Sequence, residues 1–270
     1  MKRFFAVFRK YWKLYGVFVR NSIMSQMEYR TNFFMSALVQ LAHMLTKLTY
    51  VLVIYKVDQP INGITPDEML IMIGTYSALS GVFVSFFLFN FDGLSGQIQR
   101  GSLDSNIVKP VSLQFISTLQ HVDLAFATVS VLAGGIMIAT GWYRAGIAVT
   151  PVKLLGFLLF TISGIFLTYS IFLIPNILCF WTIRSRGISD VVGKLWDFNN
   201  MPMTIYSGVI KLLGTFIIPV FLITNIGGLF VVDKLEPWLL VWSLVAPILF
   251  FALSCLLWKQ GMKRYVSVSG

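Results

Sequence analysis

The chain of 270 residues is 57% hydrophobic and 12% charged, with a mean hydropathy of +0.79. Soluble domains hold about 45–50% apolar residues, so a single water-soluble core is excluded. The net charge of +10 does not indicate a nucleic-acid partner, because the basic residues lie between apolar runs and at both ends of the chain. We therefore expect one membrane domain over residues 1–270.

Residues 1–30 predict an amphipathic helix in the membrane interface. Apolar residues recur at helical spacing, whereas basic residues fall on another face. The apolar positions are Phe4, Phe8, Tyr11, Tyr15 and Phe18, and the basic ones are Lys2, Arg9, Lys13 and Arg20. Such a helix lies along the bilayer surface. The alternative is the flank of a signal anchor with an incidental pattern.

Six apolar stretches predict an all-α membrane protein of about six transmembrane helices, because a helix of about 20 apolar residues spans a bilayer. The predicted spans are residues 33–55, 69–91, 124–142, 154–181, 205–232 and 237–258. The fifth is interrupted by Lys211, Pro219, Asn225, Gly227 and Gly228. Irregular backbone survives at membrane depth only where protein or a cavity covers it. We therefore expect a full helix there followed by a short re-entrant or broken piece.

The second span carries its own start signal. Thr65 is a capping residue, Pro66 occupies the first helical position, and Glu68 follows three residues after the cap. This pattern is a capping box and predicts a helix that begins at Pro66.

Lysines and arginines in short loops orient the spans, because cytoplasmic loops carry the excess of both. With the N-terminus inside, the cytoplasmic positions are Lys2, Arg3, Arg9, Lys10, Lys13, Arg20, Arg30, Arg100, Lys109, Arg184, Arg186, Lys194, Lys259, Lys263 and Arg264. The external positions are Lys56, Arg144, Lys153 and Lys234, and Lys47 and Lys211 lie in or near spans. We therefore predict both termini in the cytoplasm.

Motifs for ATP hydrolysis and metal catalysis do not occur in the sequence. Gly193-Lys194 lacks the upstream glycine and the following hydroxyl residue of a P-loop. The two histidines, His43 and His121, fall on different predicted helices and cannot form a metal-ligand pair by spacing. We expect no catalytic, cofactor-binding or metal site, and no enzymatic activity of the chain itself.

The first span carries a polar stripe along an otherwise apolar helix. Its members recur at three- and four-residue steps and therefore share one face. They are Asn32, Ser36, Gln40, His43, Lys47 and Tyr50. The stripe predicts a translocation path or a subunit interface, since polar groups at membrane depth face protein or water. The alternative is that these groups bond neighbouring helices, with Lys47 snorkelling toward the outer surface.

Two further features concern the second span and the loop that follows it. Its small residues share one face and indicate close helix packing. They are Gly74, Ala78, Gly81 and Ser85. The loop that follows, residues 93–110, is short, amphipathic and closed by Lys109-Pro110, which stops a helix. It predicts a surface helix that docks on a cytosolic partner, with a plain connecting loop as the alternative.

Several segments together resemble permeases of the type 2 ABC exporter superfamily. They are the N-terminal interfacial helix, Glu28-Tyr29-Arg30-Thr31-Asn32-Phe33 before the first span, Arg100-Gly101-Ser102-Leu103-Asp104 with Lys109-Pro110 in the loop, and Thr215-Phe216-Ile217-Ile218-Pro219-Val220. The order of these segments and the six-span topology match over nearly the whole chain.

The resemblance implies a permease in a bacterial plasma membrane, paired with a second identical or homologous permease and with two P-loop ATPase subunits that bind ATP and Mg. It implies that the ATPase contacts a coupling loop, residues 97–109, through Gln97, Arg100, Asp104 and Lys109. The polar stripe would lie near the dimer centre, and the region around Pro219 would match short broken helices on the outer side.

Two rival classes remain at this stage. A stand-alone secondary transporter or channel predicts internal repeats and intramembrane carboxylates. A membrane-bound enzyme needs a clustered site, for which His121 and Asp123 are the only close pair, with solvation or capping as the alternative role. Export follows from the resemblance alone, and apolar walls fit lipid, peptide, drug and polysaccharide cargoes. We expect an amphipathic or hydrophobic cargo.

Overall fold

The computed structural model describes residues 2–28, 30–182 and 193–265 together with residues 187 and 190; the side chains of residues 2–4, 30, 32 and 33 are excluded. Arg184 and Arg186 of the predicted cytoplasmic charge lie outside the described residues. The α-helices are α1 Lys2–Glu28, α2 Arg30–Val57, α3 Pro66–Val82, α4 Phe89–Gln99, α5 Asp104–Ile107, α6 Leu113–Leu119, α7 Leu124–Arg144, α8 Pro151–Ile177, α9 Gly208–Leu212, α10 Phe221–Val231 and α11 Pro237–Met262.

The prediction of an all-α membrane fold is confirmed. Among the described residues no strand occurs, and five helices are long and apolar enough to cross a membrane. They cover Phe34–Val57, Pro66–Gln99, Leu124–Arg144, Pro151–Phe180 and Pro237–Met262. A sixth span arises if Gly208–Ile217 and Phe221–Val231, which meet at 97°, cross as one broken unit.

The second span is longer than its apolar stretch. The predicted capping box is present, since Thr65 N–H donates to Glu68 Oε2 at 2.8 Å and Glu68 N–H donates to Thr65 Oγ1. A π-helical turn, Phe83–Leu88, joins α3 to α4, so the helix runs to Gln99 rather than to residue 91. Gly101, at φ 68°, ends the helix in the left-handed conformation.

Small residues hold α3 and α7 in close contact. A methyl group at Gly134 of α7 would lie 2.6 Å from the carbonyl oxygen of Gly74, and one at Gly141 would lie 2.8 Å from that of Asp67. Gly81 meets Ser130 in the same seam. The small-residue face of the second span thus brings two backbones together, which is the packing use that such faces serve in membranes.

Helix α8 occupies the centre of the bundle, between α10 and α11. Gly164 of α8 lies so close to α10 that an added methyl group would come within 2.3 Å of the carbonyl oxygen of Ile223. Farther along α8, Phe172 packs against Phe83 with ring centres 4.6 Å apart, and Trp196 stacks on Phe83 at 4.7 Å. This aromatic group ties the 3₁₀ segment Leu195–Asn200 to the bundle.

The broken fifth span turns next to Pro219, where α9 and its π-helical continuation Leu213–Ile217 give way to α10. Asn225 lies inside α10 and is buried, although the sequence predicts an interruption of the fifth span at this residue. Its Oδ1 accepts a 2.8 Å hydrogen bond from Met203 N–H, and Thr224 Oγ1 donates to Asn199 Oδ1 at 2.9 Å. The first bond satisfies a backbone N–H that would otherwise be unpaired, and the second pairs two buried side chains.

Ion pairs join the helix ends at one side of the bundle. Arg144 pairs with Asp67 at 2.9 Å, Lys153 with Asp233 at 2.6 Å, and Lys234 with Glu68 at 2.5 Å. The three cations are among those predicted to lie outside. The pair of Lys234 and Glu68 links the start of α3 to the connection between α10 and α11.

Candidate translocation cleft and coupling surface

The polar stripe of α2 meets the rest of the bundle at Gln40. Its side chain is 1% exposed, and its Nε2 donates to Ser130 Oγ of α7. Ser36, one turn earlier, is half-buried, whereas His43 and Tyr50 are exposed. The side chain of Asn32 lies outside the described residues. The stripe therefore divides into a packed part and an exposed rim.

Lys47 lies near the middle of the apolar stretch of α2, and its ammonium group points into the protein. Nζ lies 4.5 Å from the ring centre of Tyr76 and donates to Ser77 Oγ at 3.3 Å. Tyr76 is ten residues into α3, so at 1.5 Å per residue it lies about 15 Å from the helix end at Pro66. Lys47 therefore bonds the neighbouring helix α3 and does not extend to that end of the helix.

A cleft of about 360 Å³ opens beside the stripe between α2, α3, α7 and the 3₁₀ segment Leu195–Asn200. Polar and aromatic side chains line it. From α2 they are Gln40, His43, Thr46, Lys47 and Tyr50, and from the facing elements Tyr76, Ser80, Trp196, Asp197 and Asn200. Val84 and Phe126 add apolar wall. The structure thus brings Gln40, His43 and Lys47 of the stripe to one cleft.

The 3₁₀ wall of the cleft was missed by sequence reasoning. Trp196 Nε1 donates to Ser80 Oγ at 3.1 Å across 116 positions, and its ring contacts Tyr76 of α3 at 6.0 Å and meets Phe172 of α8 edge-on at 5.5 Å. Asp197, its neighbour, is exposed at the mouth. No local pattern connects this segment with the stripe. The signal available was an aromatic and an acidic residue in a segment between two spans.

Helix α1 packs on one end of the bundle through one aromatic face. The rings of Tyr11 and Phe18 lie 4.8 Å and 6.2 Å from that of Phe115 in α6. Tyr11 OH accepts from Ser112 N–H at 2.9 Å, and Gln26 Nε2 donates to Val122 O at 2.7 Å. Tyr15 contacts the ring of Phe115 at 6.4 Å, whereas Phe5, Phe8 and Trp12, nearer the N-terminus, are exposed. The apolar side chains of α1 are therefore divided between a packed part and an exposed part.

The coupling loop is folded rather than extended. Leu103 is 0% exposed and anchors it, and α5 follows directly. At the end of α5, Ile107 and Val108 are exposed, Val108 to 82%. Leu103 thus holds the segment on the bundle, and two apolar side chains at the end of α5 remain exposed.

The predicted contacts in the coupling loop have different surroundings. Arg100 is exposed at the end of α4, and Gln97 is half-buried. Asp104 Oδ1 accepts a 2.8 Å hydrogen bond from Tyr265 OH, and Lys109 Nζ donates to Asn106 Oδ1 at 2.7 Å. Burial and the hydrogen bond to Asp104 raise the pKa of Tyr265 to about 12, so that hydroxyl stays protonated as the donor.

The close pair His121 and Asp123 serves structural roles. Asp123 Oδ1 accepts from Phe126 N–H and caps α7, and Asn90 exchanges two hydrogen bonds with the backbone of His121. Burial lowers the pKa of His121, which keeps its ring neutral. Among the described residues no group of three His, Cys, Asp or Glu is placed to hold a metal ion.

The family comparison agrees with this architecture. The profile described as ABC-2 family transporter protein matches residues 41–269. No match is found among curated proteins or among solved structures. The match covers the coupling loop, the spans from the middle of α2 onward and the residues that line the cleft, apart from Gln40. Such a chain is a multi-pass membrane permease of an ABC transporter, a transport subunit rather than an ATPase. This chain belongs to the ABC-2 family of transporter proteins.

Proposed function

We propose that the chain exports an amphipathic or hydrophobic cargo across a bacterial plasma membrane, as half of a permease dimer driven by two separate ATPase subunits. The observation that carries the proposal is the family match over residues 41–269 of a chain that has no P-loop. A permease of an ABC transporter without its own nucleotide site needs ATPase partners that bind ATP and Mg.

The coupling loop is the ATPase contact in this proposal. Leu103 fixes the loop to the bundle, and Asp104 ties α5 to the segment after α11 through Tyr265. Val108 and Ile107 supply an apolar contact, while Arg100 supplies a charge at the edge. A rigid loop of this kind transmits motion, because a displacement of its tip moves the helices that it joins.

The exposure of helix α2 supports the proposal of a second permease. Only 17% of the residues in its 18-residue apolar stretch are buried, against 78% in the helix Pro66–Gln99. A membrane helix with a polar stripe packs that stripe on protein or water rather than lipid. Since His43 and Tyr50 remain exposed on this chain, a second copy or a homologue beside α2 would cover them.

ATP binding would close the two ATPases and draw the coupling loops together, which changes access to the cleft by alternating exposure or by a squeezed lateral exit. The permease must bind its cargo with different affinity in the two states, because a ligand shifts a conformational equilibrium only by that difference. The cleft beside Lys47 is the proposed place of that binding.

The test is purification in mild detergent from native membranes, with identification of copurifying subunits and an assay of vanadate-sensitive ATP hydrolysis. We expect a stoichiometric P-loop partner. D104N and R100Q should uncouple transport from hydrolysis, and Y265F, which removes the hydroxyl that ties Asp104 to the segment after α11, should weaken coupling without abolishing it. A stable oligomer without a partner and without ATPase activity would refute the proposal and favour a stand-alone transporter or channel.

A further inference from the structure

The cleft beside α2 holds an intramembrane cation that lacks an acidic partner. Within the described residues no carboxylate lies at ion-pair distance from Lys47 Nζ. The group rests on the ring of Tyr76 and bonds one hydroxyl, Ser77 Oγ. A charged side chain at this depth costs several kcal/mol, and such residues mark ligand or ion pathways. Two of the three ammonium hydrogens have no acceptor in the described residues.

A second polar group points to a ligand in the same cleft. Gln40 lines it two turns from Lys47 on the same face of α2 and is 1% exposed. Its Nε2 is bonded to Ser130, but among the described residues no donor reaches its Oε1. A buried amide oxygen without a donor is costly, so this oxygen is placed for a hydroxyl, an amide or a water at a bound headgroup.

The apolar walls indicate the rest of the ligand. Val84 and Phe126 line the cleft together with the aromatic rings of Tyr76 and Trp196, and in the single permease the rim is open at exposed His43. A volume of about 360 Å³ holds a headgroup and the first part of a chain, whose remainder would extend past the rim. A fully polar ion would leave these walls unused.

We propose that the cleft selects amphiphiles with a carboxylate or phosphate headgroup, held by Lys47, with a hydrogen-bond donor toward Gln40 and an apolar tail along Val84 and Phe126. This inference rests on the proposed permease function and names its cargo class. Asp197, exposed at the mouth, repels the same headgroup, so the two charges act in opposite directions on affinity. The anionic group lies beside Lys47, deeper than Asp197.

The experiment is a fluorescence titration of the purified permease in phosphatidylcholine nanodiscs with dansyl-undecanoate, after subtraction of empty nanodiscs. A charge-assisted hydrogen bond contributes enough that K47Q should weaken binding at least about tenfold. K47R should bind within a few-fold of wild type, and D197N should bind more tightly. K211Q, which removes a lysine from another apolar span, is the matched control and should leave the affinity unchanged.

Three results would overturn the inference. They are equal affinity of K47Q and K211Q, equal affinity for the methyl ester of the probe, and loss of affinity in D197N. Displacement of the probe by inorganic phosphate at equal concentration would assign the site to a free anion and refute the amphiphile. Because the permease is titrated alone, failure here leaves the ATPase copurification untouched, and failure of copurification leaves this binding result standing.

Discussion

The seam between α3 and α7 predicts opposite effects for two adjacent glycines. Gly134 faces the seam, and a methyl group there would lie 2.6 Å from Gly74 O and 2.7 Å from Ala78 N. Gly135, the next residue, has nothing within 4 Å. The same substitution to alanine therefore adds one methyl group between two backbones in G134A and into open space in G135A.

The magnitudes follow from this geometry. The obstructing atoms at Gly134 are backbone, which cannot rotate away, so the helices must separate. Overpacking of this kind costs about 1–3 kcal/mol. Alanine at Gly135 removes the helix penalty of glycine and stabilises by roughly 0.5–1 kcal/mol. We expect the unfolding free energies of G134A and G135A to differ by about 1.5–4 kcal/mol, with wild type between them.

The assay is reversible unfolding in mixed micelles of dodecyl maltoside and SDS, followed by far-UV circular dichroism. G134A should unfold at a lower SDS fraction than wild type, and G135A at an equal or higher fraction. If G134A proves as stable as G135A, the two helices are not held at backbone contact and the packing argument is wrong.

Other predictions test the broken fifth span, the ion pair between Lys234 and Glu68, and the coupling loop. N225A should lower the free energy of unfolding by about 1–3 kcal/mol because Met203 N–H loses its acceptor, and N225D should lower it at least as much because it buries a carboxylate and removes the amide donor; thermal unfolding of the detergent-solubilised protein measures both. K234Q should lower the free energy of unfolding by at most about 1 kcal/mol, and by less in high salt. E68A should lower it more, because it also removes the side chain that accepts from Thr65 N–H in the capping box. L103A should speed tryptic cleavage of the coupling loop severalfold, and a rate equal to wild type would show that Leu103 is not its anchor.

Local and periodic features of the fold are predictable from the sequence. Apolar stretches locate the spans because a bilayer demands continuous apolar length. The capping box at Thr65 places a helix start because its two hydrogen bonds involve residues three apart. The break near Pro219 follows from the missing N–H of proline. The stripe on α2 follows from helical spacing alone, which brings Gln40 and Lys47 to one face.

Features that depend on distant residues are not predictable in this way. Trp196 meets Ser80 across 116 positions, and Asn225 is buried because Met203 needs an acceptor. Hydropathy also does not predict the true end of the second span, because the helix continues past the apolar stretch to Gln99. The partner of Asp104 in Tyr265 lies at the far end of the chain, so its role in the loop cannot be read from the loop sequence.

The helix Pro66–Gln99 connects all the proposed working parts. Its 34 residues span about 51 Å, from the ion pair at Glu68, past Tyr76 in the cleft, to the start of the coupling loop. Its π-helical turn Phe83–Leu88 lies beside the cleft, and such turns accompany functional sites. The α7 seam holds this helix, whereas α2 is loosely packed. We therefore expect ATPase closure to move α2 against a stiff α3, and so to change the distance between Lys47 and Tyr76.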